Sequence, residues 1–98
     1  MIYVIASLTV APGKLDALRK AAPSVIEPTR AEPGCISYDL FVSATDPGQV
    51  RFVESWRSRE ALDEHFASAH MAKWRDTSAD FFTGRKVEVI HPDKVEIL

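Results

Sequence analysis

A chain of 98 residues, 46% hydrophobic and 27% charged, has the size and composition of one globular domain, residues 1–98. Its formal net charge is -2, with twelve Lys and Arg interspersed among fourteen Asp and Glu, so no basic stripe exists to follow a phosphate backbone and nucleic acid is excluded as the expected partner. No apolar run approaches the ~18–20 residues needed to span a bilayer, and the lone Cys35 cannot form an internal disulfide, which fits a reducing compartment.

The N-terminal MIYVIASLTV is apolar but lacks a basic leader region and runs into Pro12-Gly13-Lys14 instead of a cleavage site, so residues 2–10 read as a β-strand and the protein is expected to be cytoplasmic. After that turn, Leu15, Leu18, Ala22 and Val25/Ile26 recur at helical spacing. Pro23 predicts a kink in this helix, and Pro28 and Pro33-Gly34 are expected to end it. Residues 35–43 alternate as a strand, with Ile36, Tyr38, Leu40 and Val42 on one face and Cys35, Ser37, Asp39, Phe41 and Ser43 on the other. Asp46-Pro47-Gly48 turns the chain into a strand over 50–57, whose Val50, Phe52, Glu54 and Trp56 share a face, and the pair reads as an antiparallel hairpin.

Ser58 is placed to cap a helix carrying Glu60 in its first turn, followed by Leu62, Phe66 and Ala69. Continued straight, that helix would align Lys73 with Leu62 and Ala69, and a break at Ala67-Ser68 removes the conflict. Ser68 would cap a second segment carrying Met71, Trp74, Ser78, Phe81 and Phe82, stopped by Gly84. Residues 86–91 read as a strand, and 94–98 as one more short strand. The order β-α-β-β-α-β predicts an α+β, ferredoxin-like fold: a four-stranded antiparallel sheet with helices on one face. Because the strands carry apolar residues on both faces, a second copy is expected to cover the open face, giving a homodimeric α+β barrel with 94–98 crossing over.

The stretch from Phe52 to Trp74 concentrates the candidate chemistry. Glu54 lies between Phe52 and Trp56 on one strand face; it is either a base or histidine-orienting group, or a carboxylate paired with Arg51, Arg57 or Arg85. His65 and His70 are ~140° apart on an unbroken helix at ~100° per residue, so they converge only if the helix breaks at Ser68. Imidazoles titrating near pH ~6.5 suit proton transfer at neutral pH. Tyr38, Phe41, Phe66, Trp74, Phe81 and Phe82 fit a core taken singly, while Trp and Tyr in particular suit a cavity wall. His65, His70, His91, Glu54, Asp63 and Glu64 lack metal-site spacing, so no metal is expected. Cys35 reads as a packed thiol.

Glu32-Pro33-Gly34-Cys35, Tyr38-Asp39-Leu40, Asp46-Pro47 and the spaced set Glu54-x-Trp56-x-Ser58-x-Glu60-Ala61-Leu62-x-x-His65-x-x-Ser68-x-His70 together resemble the antibiotic biosynthesis monooxygenase domain family, and most closely its small quinol-monooxygenase-like members. The resemblance covers nearly the whole chain. It implies a dimeric ferredoxin-like fold and an enzyme that oxidises a small aromatic quinol or anthrone with O2, with neither metal nor flavin. The catalytic set implied is His65 or His70 as base with Glu54 as partner; Tyr38 would donate a hydrogen bond, and Trp56, Phe66 and Trp74 would line the substrate site. Haem-degrading relatives use an asparagine, and this chain has none, which argues against haem breakdown and weakens transfer from the polyketide monooxygenases that use one. Two other functions fit the same residues. One is isomerisation of a small phosphorylated carbonyl compound, anchored by Arg51, Arg57, Arg75 or Arg85; the other is non-catalytic binding of a hydrophobic ligand.

Overall fold

In the computed structural model, which describes residues 1–98, eight elements follow one another: β1 (Ile2–Val10), α1 (Leu15–Ala21), α2 (Pro23–Arg30), β2 (Cys35–Val42), β3 (Gln49–Trp56), α3 (Arg59–Phe66), α4 (Ala69–Thr77) and β4 (Phe82–Ile90). The strands form one antiparallel sheet in the order β2-β3-β1-β4. With each helical connection counted once, this is the expected ferredoxin-like α+β fold. No helix is long and apolar enough to cross a membrane.

Both helical connections are interrupted, each by a local chemical cause. Pro23 has no N–H to continue the α1 ladder and so becomes the first residue of α2. At the second interruption the Ser68 hydroxyl accepts from Met71 N (3.3 Å), capping α4, and donates to His65 O (2.6 Å), closing the end of α3. Ser58 caps α3 in the same way, accepting from Ala61 N at 3.1 Å. Before α1, Gly13 adopts φ +76 in a turn closed by Lys14 N to Ala11 O (3.1 Å), a conformation that favours glycine.

Several sequence expectations are corrected. Pro28 lies inside α2 and does not end it. The helix after Ser68 stops at Thr77, so Phe81 lies beyond it, Phe82 opens β4, and Gly84 sits within that strand instead of stopping a helix. Residues 94–98 form no strand within the chain. Ile36 does not share the face of Tyr38, Leu40 and Val42: the pairing with β3 shifts between Cys35 and Ser37, and Ile36 is left as the extra, half-exposed residue of a bulge.

The register fixes the two sheet faces. Ile2, Val4, Ala6 and Leu8 of β1 pair with Trp56, Glu54, Phe52 and Val50 of β3, and this face is buried beneath the helices. Leu18, Val25 and Leu62 come down onto it, and burying each such side chain contributes roughly 1.5–3 kcal/mol. The opposite face carries Tyr3, Ile5, Phe41, Val53 and Ile90 with no helix over it, and Phe41 is 56% exposed.

Gly34 lets the β2 entry lie against α3. A Cβ there would overlap the Cβ of Ala61, and Gly34 O accepts from Arg57 N at 2.9 Å, so the backbone has little freedom to retreat. Gly34→Ala is expected to cost about 1–3 kcal/mol of unfolding free energy, with Ala61→Gly restoring part of it. Urea denaturation of the single and double variants checks this; an unaltered midpoint in Gly34→Ala would refute the tight contact.

Candidate active site

The helix-side face of the sheet is incompletely covered. A cavity of about 390 Å³ lies among β1, β2, β3, β4, α3 and α4. Its walls include Val4, Ala6, Phe52, Phe66, Met71, Trp74 and Phe82, and its ionisable groups are Tyr38, Glu54, His65, Arg75 and Arg85.

Tyr38 and Glu54 are direct partners across the β2–β3 ladder, so pairing alone sets them side by side. His65 comes from the last turn of α3, 1% exposed, its ring centroid 4.6 Å from that of Trp56 and 5.5 Å from that of Tyr38. The Trp56 indole N–H donates to Glu54 Oε1 at 3.0 Å, leaving Oε2 free. None of Arg51, Arg57 or Arg85 pairs with Glu54; Arg51 bonds to Ser7 and Arg57 to Pro33 O.

The helix break does bring the two histidines together, on a residue outside the expected set. Glu32 Oε2 lies 2.7 Å from His65 Nδ1 and 2.8 Å from His70 Nε2. An ionised carboxylate only accepts, so each imidazole donates from that nitrogen, and the ring nitrogen left for chemistry on His65 is Nε2. Glu32 was already present in the Glu32-Pro33-Gly34-Cys35 stretch, and an acidic residue immediately before a Pro-Gly turn into β2 is the signal that could have singled it out. Its single oxygen is shared between two rings whose centroids are 5.9 Å apart. The three donor atoms lie within 4.8 Å of one another, as metal ligands would. Their 2.7 and 2.8 Å separations are nonetheless those of hydrogen bonds, shorter than the ~3.3 Å between ligands around a tetrahedral zinc.

Thr29 Oγ1 is the one fully enclosed side-chain polar atom without a partner. Glu54 Oε2, the Tyr38 hydroxyl and His65 Nε2 have no hydrogen bond within the protein either, and all three residues line the cavity. Burial sets their protonation. It pushes the Glu54 carboxyl up to about 7, assisted by the charge of Glu32 and opposed by the Trp56 N–H. Burial, then the charge of Glu54, drives the Tyr38 phenol above its ordinary range and keeps it a donor. Burial likewise lowers His65, against the pull of Glu32, favouring the neutral ring. Cys35 is pushed up to about 11 by burial and then by Glu32 and Glu54, so its thiol stays protonated and unreactive.

Of the expected site residues, Glu54, His65, Tyr38, Phe66 and Trp74 line the cavity. His70 does not; it stands behind Glu32, its side chain 21% exposed. Trp56 is not a wall residue either; it is fully buried and holds Glu54 while packing against His65. His91, Asp63 and Glu64 are exposed and lie outside the cluster.

Three comparisons with known proteins bear on this geometry. The sequence signature described as Antibiotic biosynthesis monooxygenase matches residues 1–77. A Mycobacterium tuberculosis protein named as a candidate monooxygenase is 44% identical over 82 residues, covering 84% of this chain and 80% of its own. A Bacillus subtilis protein similarly named is 31% identical over 70 residues, covering 71% and 74%. Among solved structures, that of the M. tuberculosis protein superposes with a TM-score of 0.87 over 96% of both chains. A Nitrosomonas europaea structure described as a candidate antibiotic biosynthesis monooxygenase gives 0.89 at 29% identity, covering 96% of this chain and 100% of its own.

The raised Glu54 has a measurable consequence. Between pH ~4.5 and ~7 the folded chain holds a proton that the unfolded chain has released, so this group's contribution to stability falls as pH rises through that window. The lowered His65 acts in the opposite sense as pH falls, so the comparison is made against a variant. Between pH 5 and pH 8, wild type is expected to lose on the order of 3 kcal/mol more stability than Glu54→Gln. Urea unfolding of both proteins at the two pH values measures the difference; parallel pH dependences would refute the assignment.

Proposed function

The chain belongs to the antibiotic biosynthesis monooxygenase family, and from that premise we propose that it is a cofactor-independent monooxygenase that oxidises a small aromatic quinol or anthrone-like compound with O2. The observation that carries this reading is the set of three unpartnered polar atoms, Glu54 Oε2, Tyr38 Oη and His65 Nε2, at an aromatic-lined cavity of about 390 Å³.

In this reading His65 Nε2 takes the proton of a substrate hydroxyl, with Glu32 fixing the tautomer and stabilising the imidazolium that forms. The phenol of Tyr38 donates to the resulting oxyanion. The electron-rich anion passes one electron to O2, and the two radicals combine at a ring carbon into a peroxide. Glu54, poised near neutrality, supplies the proton the peroxide needs. Loss of water then leaves a carbonyl, so one oxygen atom enters the product, the other leaves as water, and a naphthohydroquinone would become a hydroxynaphthoquinone. Phe52, Phe66 and Trp74 surround the intermediate and keep bulk water away. Trp56 and His70 act through Glu54 and Glu32 as positioning residues.

A second reading, isomerisation of a small phosphorylated carbonyl compound, is supported by Arg75 and Arg85 on the cavity wall; it would consume no O2. A binding-only dimer would hold the aromatic compound without turnover.

We further propose a homodimer packed sheet against sheet, with the exposed Val95, Ile97 and Leu98 crossing to the partner. The support is the uncovered apolar face carrying Phe41, Val53 and Ile90. Sedimentation is expected to give twice the 10.9 kDa chain mass, and Val53→Glu to give the single-chain mass; a monomeric wild type would overturn the dimer.

Menadiol-type quinols should be consumed with O2 uptake above their spontaneous rate. His65→Ala is expected to lower kcat by about 10²–10⁴-fold, and Glu32→Gln by roughly tenfold through loss of a charge-assisted hydrogen bond. No uptake above background, or wild-type rates in His65→Ala, would end this reading.

A further inference from the structure

The cavity is polarised in a way that the proton chemistry does not explain. Its acid–base groups, Tyr38, Glu54 and His65, cluster beside the β2–β3 pair, with Arg75 on α4 near enough for its charge to disfavour a protonated His65, whereas Arg85 on β4 lies on the far wall. Neither arginine has a carboxylate partner, while Arg30, Arg59, Lys86 and Lys94 each do. Arg75 Nη2 donates to Phe66 O at 2.7 Å, which fixes that guanidinium against the end of α3 and leaves its other donors unused. Arg85 has no side-chain bond at all and pairs with Leu8, so it stands on the cavity face of the sheet.

The ladder supplies a ruler. Glu54 pairs with Val4 and Arg85 with Leu8, four residues further along β1, on the opposite neighbouring strand. Four steps of about 3.3 Å and two strand spacings of about 4.8 Å separate the two backbones by about 16 Å. With both side chains reaching inward, the remaining span suits one or two fused aromatic rings, and the residues between are apolar: Ala6, Phe52 and Val87 on the sheet, with Trp74 against Phe52.

We propose that the substrate is a hydroxylated aromatic acid: its carboxylate is held by Arg85, which turns the hydroxyl at its other end toward Tyr38, Glu54 and His65. This deepens the reading of the cavity as a substrate site and rests on it. Arg85 lies beyond the residues 1–77 matched by the family signature, so this selectivity belongs to the part of the chain that the signature does not describe.

The test is calorimetric binding of compounds that are not quinols, which separates it from turnover. At pH 7.5, 6-hydroxy-2-naphthoate is expected to bind at least about tenfold tighter than neutral 2-naphthol, in line with a charge-assisted pair. Arg85→Ala should remove most of that advantage and leave 2-naphthol binding unaltered, and Arg85→Lys should retain part of it. Equal affinity for the two compounds, or an equal loss for both in Arg85→Ala, would overturn the proposal. Glycerol phosphate binding as tightly as the naphthoate would overturn its aromatic half. Because no step consumes O2, failure of the quinol assay would leave these outcomes just as decisive.

Discussion

One carboxylate oxygen joins the two halves of this site. Glu32 stands in the turn before β2, and its Oε2 bridges His65 at the end of α3 and His70 at the start of α4. Were α3 to run straight into α4, the two imidazoles would face apart by ~140° and no single acceptor could serve both. The helix break is therefore a requirement of the bridge, and it is held by independent contacts: the Ser68 hydroxyl on both helices and the Arg75 guanidinium on Phe66 O. With the break in place, α4 turns across the sheet far enough to bring Trp74 over Phe52, their ring centroids 6.2 Å apart and nearly perpendicular. The same geometry that orients His65 builds part of the cavity wall.

The deep end of the cavity combines three groups that burial moves in a useful direction. Desolvation favours the neutral form of every one of them: a carboxyl near 7, a phenol that stays protonated and an imidazole that stays uncharged. An apolar site holding neutral acids and a neutral base can admit an uncharged aromatic ring and still exchange protons with it. The indole of Trp56 sets a limit on the effect, because its N–H stabilises the ionised Glu54 and keeps that carboxyl from rising further.

Much of this was legible in the sequence, and the parts that were not have physical reasons. Strand alternation gave the faces of β1 and β3, and the alignment of the charged Lys73 with the apolar Leu62 and Ala69 located the break at Ser68. The bulge at Ile36 was invisible, because strict alternation over 35–43 is what an unbulged strand would show. Phe81 and Phe82 continued the helical spacing from Trp74 by coincidence, and aromatic residues start a strand as readily as they extend an apolar helix face. Trp56 was taken for a wall because amphipathic residues often are; instead its polar edge is consumed by Glu54. Glu32 escaped because it lies 33 residues from His65 and meets it only after the turn at Gly34 has settled against Ala61. The element order supplied the fold and the family resemblance the expected chemistry, whereas the partner of the histidines became visible only in the folded chain.

The helices cover the sheet unevenly, and this has a consequence for how the protein could change. Val50, Phe52, Glu54 and Trp56 on β3 are buried, while most of β4, including Arg85 and Val87, is exposed. Substitutions at exposed positions usually shift stability by only about 0.5 kcal/mol or less, whereas changes among the packed residues around His65 disturb the fold itself. The trio Tyr38, Glu54 and His65 is thus locked into the part of the fold where mutation is costly, and the cavity wall on β4 lies where it is cheap. A lineage carrying this domain could alter the β4 wall of its cavity freely, while Tyr38, Glu54 and His65 stayed anchored under selection for folding.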